Sequence, residues 1–298
     1  MSGHRCPHCG GAATAAFEAA DVNRRLGNGQ RFAYSRCQAC KLLFQTDPPS
    51  ELGPYYPQEY YAIPGSVEEL SRWADSERYK IEMVMQFRTS GHLIEIGPAS
   101  GGFCYLAKAA GFDVSAIEMD ARSCEFLASK LSIDVTQSAD EAAALAVARP
   151  ADVIAMWHVL EHLVDPWTML DAAARKLNVG GVLILATPNP GSVQMRLLGK
   201  RWAHIDAPRH LWLFPPNVLR QRGRSLGLTA RLMTTQDPGS LGWNLFGWEQ
   251  SLQNIPSPGL IRRAARVVGR LAARVAAPLE RREGRGAAYT IVLQKTAG

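Results

Sequence analysis

The chain has 298 residues, 47% of them hydrophobic and 20% charged, which suits a soluble globular protein of about two domains. No apolar run approaches the roughly 18 residues a membrane span needs, and Met1-Ser2-Gly3-His4-Arg5-Cys6 lacks the apolar stretch of a secretory signal, so the cytoplasm is expected. The net charge of +6 does not describe a basic fold. Between Leu260 and Gly286, Arg262, Arg263, Arg266, Arg270, Arg274, Arg281, Arg282 and Arg285 stand against Glu280 and Glu283, and the remainder is neutral.

Residues 1–47 hold two Cys-x-x-Cys pairs, Cys6-Pro7-His8-Cys9 and Cys37-Gln38-Ala39-Cys40, with 27 residues between them. In a reducing compartment such pairs read as metal ligands before disulfides. Two intervening residues let both thiolates of a pair face one ion, so Cys6, Cys9, Cys37 and Cys40 are expected to hold a structural zinc. A module this small has too little core to fold alone, and the metal would supply that energy. Cys104 and Cys124 fall in helical patterns and read as core thiols.

Residues 48–90 follow as a linker or lid rich in Pro, Gly and Tyr, ending in a helical stretch from Val67 to Phe87. From residue 91 to 298 the text alternates short apolar runs with helical patterns, the signature of βαβ units. Strands are expected at His92–Ile96, Asp113–Glu118, Ile133–Thr136, Asp152–Trp157, Val182–Thr187, Thr229–Thr235 and Tyr289–Gln294. Helices are expected at Gly102–Ala110, Ala121–Leu131, Asp140–Ala148, Pro166–Leu177 and Pro216–Leu226, with an irregular stretch and an Arg-rich helical insertion over about 238–286.

One turn carries a ligand signal. Leu93-Ile94-Glu95-Ile96-Gly97-Pro98-Ala99-Ser100-Gly101-Gly102-Phe103 runs from a buried strand into a helix whose first N–H groups are free for a polar ligand. Glu118 ends the next strand 17 residues after Gly101, where a carboxylate can accept from ribose hydroxyls.

This turn resembles motif I of the class I methyltransferases that use S-adenosylmethionine (SAM), usually Glu/Asp-x-Gly-x-Gly-x-Gly. Glu95, Gly97 and Gly101 match, and Ala99 replaces the middle glycine. The resemblance implies that Pro98, Ser100 and Phe103 belong to the cofactor loop, that Glu118 takes the ribose, that Met119 flanks the adenine, and that Ala139 and Asp140 meet its amino group. Residues Ala151 to Pro166, including Trp157-His158-Val159-Leu160-Glu161-His162, resemble the fourth-strand motif of bacterial enzymes related to the ubiquinone-biosynthesis O-methyltransferases. Thr187-Pro188-Asn189-Pro190 and Pro208-Arg209-His210-Leu211 are similar to that group as well. Tyr55-Tyr56-Pro57-Gln58-Glu59-Tyr60-Tyr61 resembles the segment that joins zinc ribbon to catalytic domain in zinc-bearing members, sugar C-methyltransferases among them. The implied fold is α/β: a Rossmann-like seven-stranded sheet in the order 3-2-1-4-5-7-6, its last strand antiparallel, behind a small N-terminal zinc ribbon.

The implied function is SAM-dependent methylation of an oxygen or carbon of a small molecule, such as a sugar, natural product or quinone-like phenol. Methyl transfer needs an aligned acceptor and often a base. His158, following the fourth strand, and Glu161 and His162 on one face thereafter are candidates, with His158 or His162 as the base; the alternatives are a structural or cofactor-shaping cluster and a divalent-metal site. The related O-methyltransferases carry Glu-x-x-Glu-His there, and His158 departs from that pattern. On the following loop His204 and His210 are further candidate bases, with Asp206, Arg209 and Asn189 on the substrate side; a loop tied by its own salt bridges is the alternative. Trp157 and His158 are expected among the cofactor contacts; Tyr56, Tyr60 and Tyr61 read either as closing over the sulfonium, whose charge suits aromatic faces, or as interdomain packing. Met156-Trp157-His158 stands where enzymes that methylate exocyclic amines of bases carry Asp/Asn-Pro-Pro-Tyr/Phe, so nucleic acid is disfavoured. Two rival readings are an RNA methyltransferase gripping its target with ribbon and arginines, and a catalytically silent SAM-binding protein.

Arg262, Arg266, Arg270 and Arg274 recur every four residues among Ala, Val and Leu. On a helix over 260–285 this is a basic stripe beside an apolar face, suited to a solvated surface element, to peripheral contact with an anionic membrane, or to phosphates. The sequence does not set the oligomeric state.

Overall fold

The computed structural model describes residues 4–26, 29–57, 60–254 and 259–296, with the side chains of 259–263 also left undescribed. Gln58, Glu59 and the side chains of Arg262 and Arg263, read above from sequence, lie outside that description.

The N-terminal part is a sheet rather than a pair of isolated knuckles. Strands β1 (His4–Arg5), β2 (Ala12–Ala20), β3 (Arg31–Cys37) and β4 (Leu43–Gln45) pair antiparallel in sequence order. Alternation along β3 explains its placement: Phe32, Tyr34 and Cys37 are buried while Arg31 and Arg36 stay exposed. The helical stretch expected over 67–87 is divided into α1 (Val67–Ala74), one 3-10 turn (Asp75–Glu77) and α2 (Arg78–Met85). At the break the Ser76 hydroxyl donates to the Trp73 carbonyl at 2.8 Å, competing with the helical ladder.

The larger sheet follows the expected alternation. β5 (His92–Ile96), α3 (Gly102–Ala109), β6 (Asp113–Glu118), α4 (Ala121–Leu131), β7 (Asp134–Gln137) and α5 (Glu141–Val147) form its first half. β8 (Ala151–Trp157), α6 (Pro166–Lys176), β9 (Leu177–Pro188) and α7 (Val193–Leu198) continue it. β10 (Trp212–Leu213), α8 (Pro216–Ser225), β11 (Leu228–Thr234), α9 (Pro238–Gln253), α10 (Gly259–Glu280) and β12 (Ala288–Lys295) complete the chain. The seven strands lie in the order β7-β6-β5-β8-β9-β12-β11, parallel except that β12 runs against both β9 and β11. Counted within this sheet, the order is the 3-2-1-4-5-7-6 implied by the resemblance. Val153, Ile154, Ala155 and Met156 on β8 and Val182 to Leu185 on β9 are wholly buried, as strands covered by helices on both faces must be.

Two features were not anticipated. β10, just after His210, pairs with β4 (Trp212 opposite Phe44, Leu213 opposite Leu43), so the N-terminal sheet takes its fifth strand from the segment after β9. The stretch read as irregular is in fact α9, started by Asp237, whose side chain accepts from Ser240 N–H, and by Pro238 in the first turn. Its Gly247 serves close approach: a Cβ there would strike Gln194 Oε1 and reach His204 Nε2 at 2.8 Å. Among the described residues, no helix is long and apolar enough to cross a membrane.

Candidate active site

A cavity of about 1160 Å³ opens at the carboxyl ends of β5, β6, β8 and β9, the usual ligand position of an open α/β sheet. One end is built by consecutive βα turns. Gly97 has φ +66 with Val159 pressed against it, 2.7 Å from where a Cβ would stand, and Gly101 has φ +83 with Leu127 at 2.5 Å, so both positions require glycine. Ala99 also sits at φ +50, a left-handed conformation that costs an alanine about 1–2 kcal/mol. What holds it there is Glu118, whose Oε2 accepts Ala99 N–H at 3.0 Å while Oε1 accepts from Met119 and Asp120 at 2.7 and 2.9 Å.

Gly97, Ala99, Glu118, Met119, Ala139 and Asp140 all line the cavity, as do Trp157 and His158. Glu95, Pro98, Ser100, Gly101 and Phe103 do not reach its wall and support it from behind. Glu95 is buried beneath the loop, where Cys104 Sγ donates to it at 2.9 Å and burial, partly offset by Lys80, raises its carboxyl to about 7. The buried ring of Phe103 packs edge-on against Trp157 at 5.5 Å.

The other end is assembled from distant segments. His158, on strained backbone at φ +58, has Nδ1 3.3 Å from Glu161 Oε1 and its ring 4.7 Å from Trp243. Glu161 is fully buried; burial alone would raise its carboxyl, but the His158 hydrogen bond and the facing His210 and His162 draw it down to about 2. His162 meets the Tyr56 hydroxyl at 2.8 Å and the Arg209 carbonyl at 3.1 Å, and burial lowers it to about 4. His204 donates from Nε2 to the Trp243 carbonyl at 3.0 Å, and burial lowers it to about 3. His210 donates from Nδ1 to the His204 carbonyl at 2.8 Å, its ring 4.6 Å from that of His162.

All four histidines line the cavity; Glu161 stands behind them. The trio able to share an ion is Glu161, His162 and His210, whose ligand atoms lie within 4.8 Å of one another. His158 is not part of it, which changes the metal reading made from the sequence.

Two expected substrate contacts are committed elsewhere. Arg209 is fully buried, its guanidinium held by Asp206 at 2.7 and 2.8 Å and by Asp21 of the ribbon at 2.8 Å, which leaves little for a substrate. Its charge holds both carboxyls below the usual range against their burial. Asn189 spends its amide on the carbonyls of Gly284 and Gly286 and its carbonyl on Gly191 N–H. Asp206 does border the cavity.

Several wall residues carried no sequence signal. Asn23 and Arg24 come from the ribbon, and Trp243, Phe246 and Gln250 from α9. Asp237-Pro238 was the available sign that a helix begins there. The Arg24 guanidinium lies 4.2 Å over Tyr60, which meets Tyr56 and Tyr61 edge-on at 4.8 and 4.9 Å to form an aromatic rim.

The four N-terminal cysteines converge. Cys6 and Cys40 Sγ are 3.6 Å apart, Cys9 and Cys37 3.5 Å, and all four sulfurs lie within 4.8 Å. Zinc–sulfur bonds of about 2.3 Å in a tetrahedron need sulfur separations of about 3.8 Å, so the donor set fits zinc. Each knuckle closes on a left-handed residue, Gly10 at φ +69 and Lys41 at φ +67. Burial pushes the thiols of Cys6 and Cys40 up; in Cys37 the Cys40 N–H and neighbouring thiols outweigh it and draw the group down to about 6. The ribbon is not remote from the cavity: Tyr34 Oη donates to the His210 carbonyl at 2.7 Å, and Gln45 N–H to that of Leu211 at 2.9 Å.

Comparison with known proteins identifies the family and the fold. Residues 70–232, more than half of the chain, match the family model described as methyltransferase domain. A 135-residue stretch, 43% of the chain, is 33% identical to the ubiquinone biosynthesis O-methyltransferase of Cereibacter sphaeroides and covers 54% of that protein, about half its length. In fold, the chain is similar to a SAM-dependent methyltransferase from Archaeoglobus fulgidus (TM-score 0.51, 18% identity, 74% of this chain and 94% of that one). It is similar also to a Galdieria sulphuraria protein described as a sarcosine dimethylglycine methyltransferase (TM-score 0.51, 13% identity, 79% and 92%).

Proposed function

Because the chain belongs to the methyltransferase domain family, with a class I domain that uses SAM, we propose that it transfers a methyl group to an oxygen or carbon of a small molecule. The observation that carries this reading is that one cavity joins the Glu118 turn to a carboxylate-backed histidine, His158, with room for two ligands side by side. The bound SAM supplies an electrophilic methyl group on its sulfonium. Glu118 uses three of a carboxylate's roughly four lone-pair sites on backbone N–H groups and keeps one for a ribose hydroxyl. The aromatic rim of Tyr56, Tyr60 and Tyr61 lowers the cost of the sulfonium charge and excludes water.

His158 takes the acceptor's proton. Its Nδ1–H donates to ionised Glu161, which fixes the tautomer, leaves Nε2 as the accepting atom and stabilises the imidazolium that forms. His162 and His204, held near 4 and 3, are neutral at pH 7 and weak as bases; they orient the acceptor by hydrogen bonding. His210 serves as a second acceptor of protons or hydrogen bonds through its free Nε2. A hydroxyl on a sugar, natural product or quinone-like phenol suits this arrangement, and the name of the Cereibacter relative supports a hydroxyl. Zinc on Cys6, Cys9, Cys37 and Cys40 fixes the ribbon that carries Asn23 and Arg24 to the cavity.

Turnover of hydroxylated acceptors by His158→Ala and His210→Ala at saturating SAM tests the assignment. His158→Ala is expected to lower kcat by about 10²–10⁴ with SAM affinity unchanged by calorimetry, and His210→Ala to lower it less. If neither variant slows turnover, the base assignment fails; SAM binding with no turnover of any acceptor would favour a silent binding protein.

A further inference from the structure

Helix α10 presents three faces. Gly269, Ala276 and Glu280 are buried against the rest of the protein, and at Gly269 the contact is so close that a Cβ would stand 2.7 Å from Glu249 Cα on α9. Beside that face runs a row of arginines, Arg266, Arg270, Arg274 and, just past the helix end, Arg281. Arg266 and Arg270 share Glu249 at 3.0 and 2.6 Å, while Arg274 and Arg281 have no carboxylate partner among the described residues. The third face is apolar and open to solvent: Val267, Val268, Leu271, Val275 and Leu279 are 46–81% exposed. At 100° per residue they span an arc of about 120°, the width helices normally turn toward a core.

This surface continues to the cavity. Leu241 and Leu245 of α9, both exposed, line a groove with Arg270 and Arg274, and Phe246, the next residue, stands in the cavity wall. A groove of mixed apolar and basic lining thus lies between the cavity wall at Phe246 and α10, with the arginine row between it and the helix's open apolar face.

We propose that α10 docks on an anionic phospholipid surface, its apolar arc at the boundary between headgroups and acyl chains and its arginine row against lipid phosphates. Charge complementarity argues for this occupant. Two copies of the chain packed face to face with their α10 helices antiparallel about a twofold axis would set both arginine rows on one flank. Nucleic-acid phosphates would satisfy the arginines but leave five exposed aliphatic side chains in water. The inference goes beyond the assignment of the reaction and does not depend on the acceptor.

Flotation of the full chain with vesicles of phosphatidylcholine, alone or mixed with phosphatidylglycerol, tests it. Binding is expected only to the mixed vesicles and should fall at high salt. Arg274→Gln is expected to weaken it roughly fivefold and Val275→Asp at least about tenfold, with melting temperature and SAM affinity unchanged. Equal binding to both vesicle types, indifference to Val275→Asp, a concentration-dependent dimer that Val275→Asp dissolves in place of vesicle binding, or retention by RNA rather than vesicles would each overturn the proposal. Should Val275→Asp fail to fold, Arg274→Gln and the salt series decide.

Discussion

The two ends of the cavity are made in opposite ways. The carboxylate end, from Gly97 to Asp140, comes from one unbroken stretch whose turns shape the wall through backbone N–H groups and Glu118. The histidine end takes Asn23 and Arg24 from the ribbon, Tyr56, Tyr60 and Tyr61 from the segment that follows it, His158 from the end of β8, His204 and His210 from the loop after β9, and Trp243 from α9. The first depends on local geometry, the second on the docking of parts. Perturbations should separate them.

Metal removal should have the largest effect. Structural zinc sites contribute on the order of 10–16 kcal/mol to the folding of isolated zinc-finger modules. A chelator strong enough to strip zinc, or Cys37→Ser, is expected to melt the ribbon sheet and abolish turnover. SAM affinity by calorimetry should hold within about twofold; a loss of SAM binding in step with zinc would show that the two ends are not independent. Breaking the internal ion cluster comes next. Arg209→Leu leaves Asp21 and Asp206 buried without their cation, and thermal unfolding should report a loss of about 3–5 kcal/mol. A drop below about 1 kcal/mol would mean that these carboxylates find water or protons instead. The smallest effect is expected at the local end: Glu118→Ala should weaken SAM about tenfold, near 1.4 kcal/mol, with little change in melting temperature. Unchanged affinity would remove Glu118 from the cofactor site.

The same division governs what could be read from the sequence. Gly97, Gly101 and Glu118 were legible because a βα turn places them by short-range rules, and β5, β6 and α4 begin and end where periodicity and caps said. Arg209 was read as a substrate contact or as part of a loop tied by its own salt bridges; its pair with Asp206 is of the second kind, while no local signal links it to Asp21 at the far end of the chain. Glycines hid α9 because their reason, close approach of Gln194 and His204 to Gly247, is tertiary. The ribbon's cysteines were plain, but its contribution to the cavity was not, since Asn23 and Arg24 belong to no motif.

The pairing of β4 with β10 bears on how the molecule comes into being. Phe44 must wait for Trp212 before the five-stranded sheet is complete, and Tyr34 must wait for His210. The ribbon sheet is therefore finished only after a segment far along the chain: the cysteines can gather an ion early, but loop closure between β4 and β10 defers the final strand. A fragment ending before β10 should carry metal yet leave the edge of β4 unpaired, open to association with other chains.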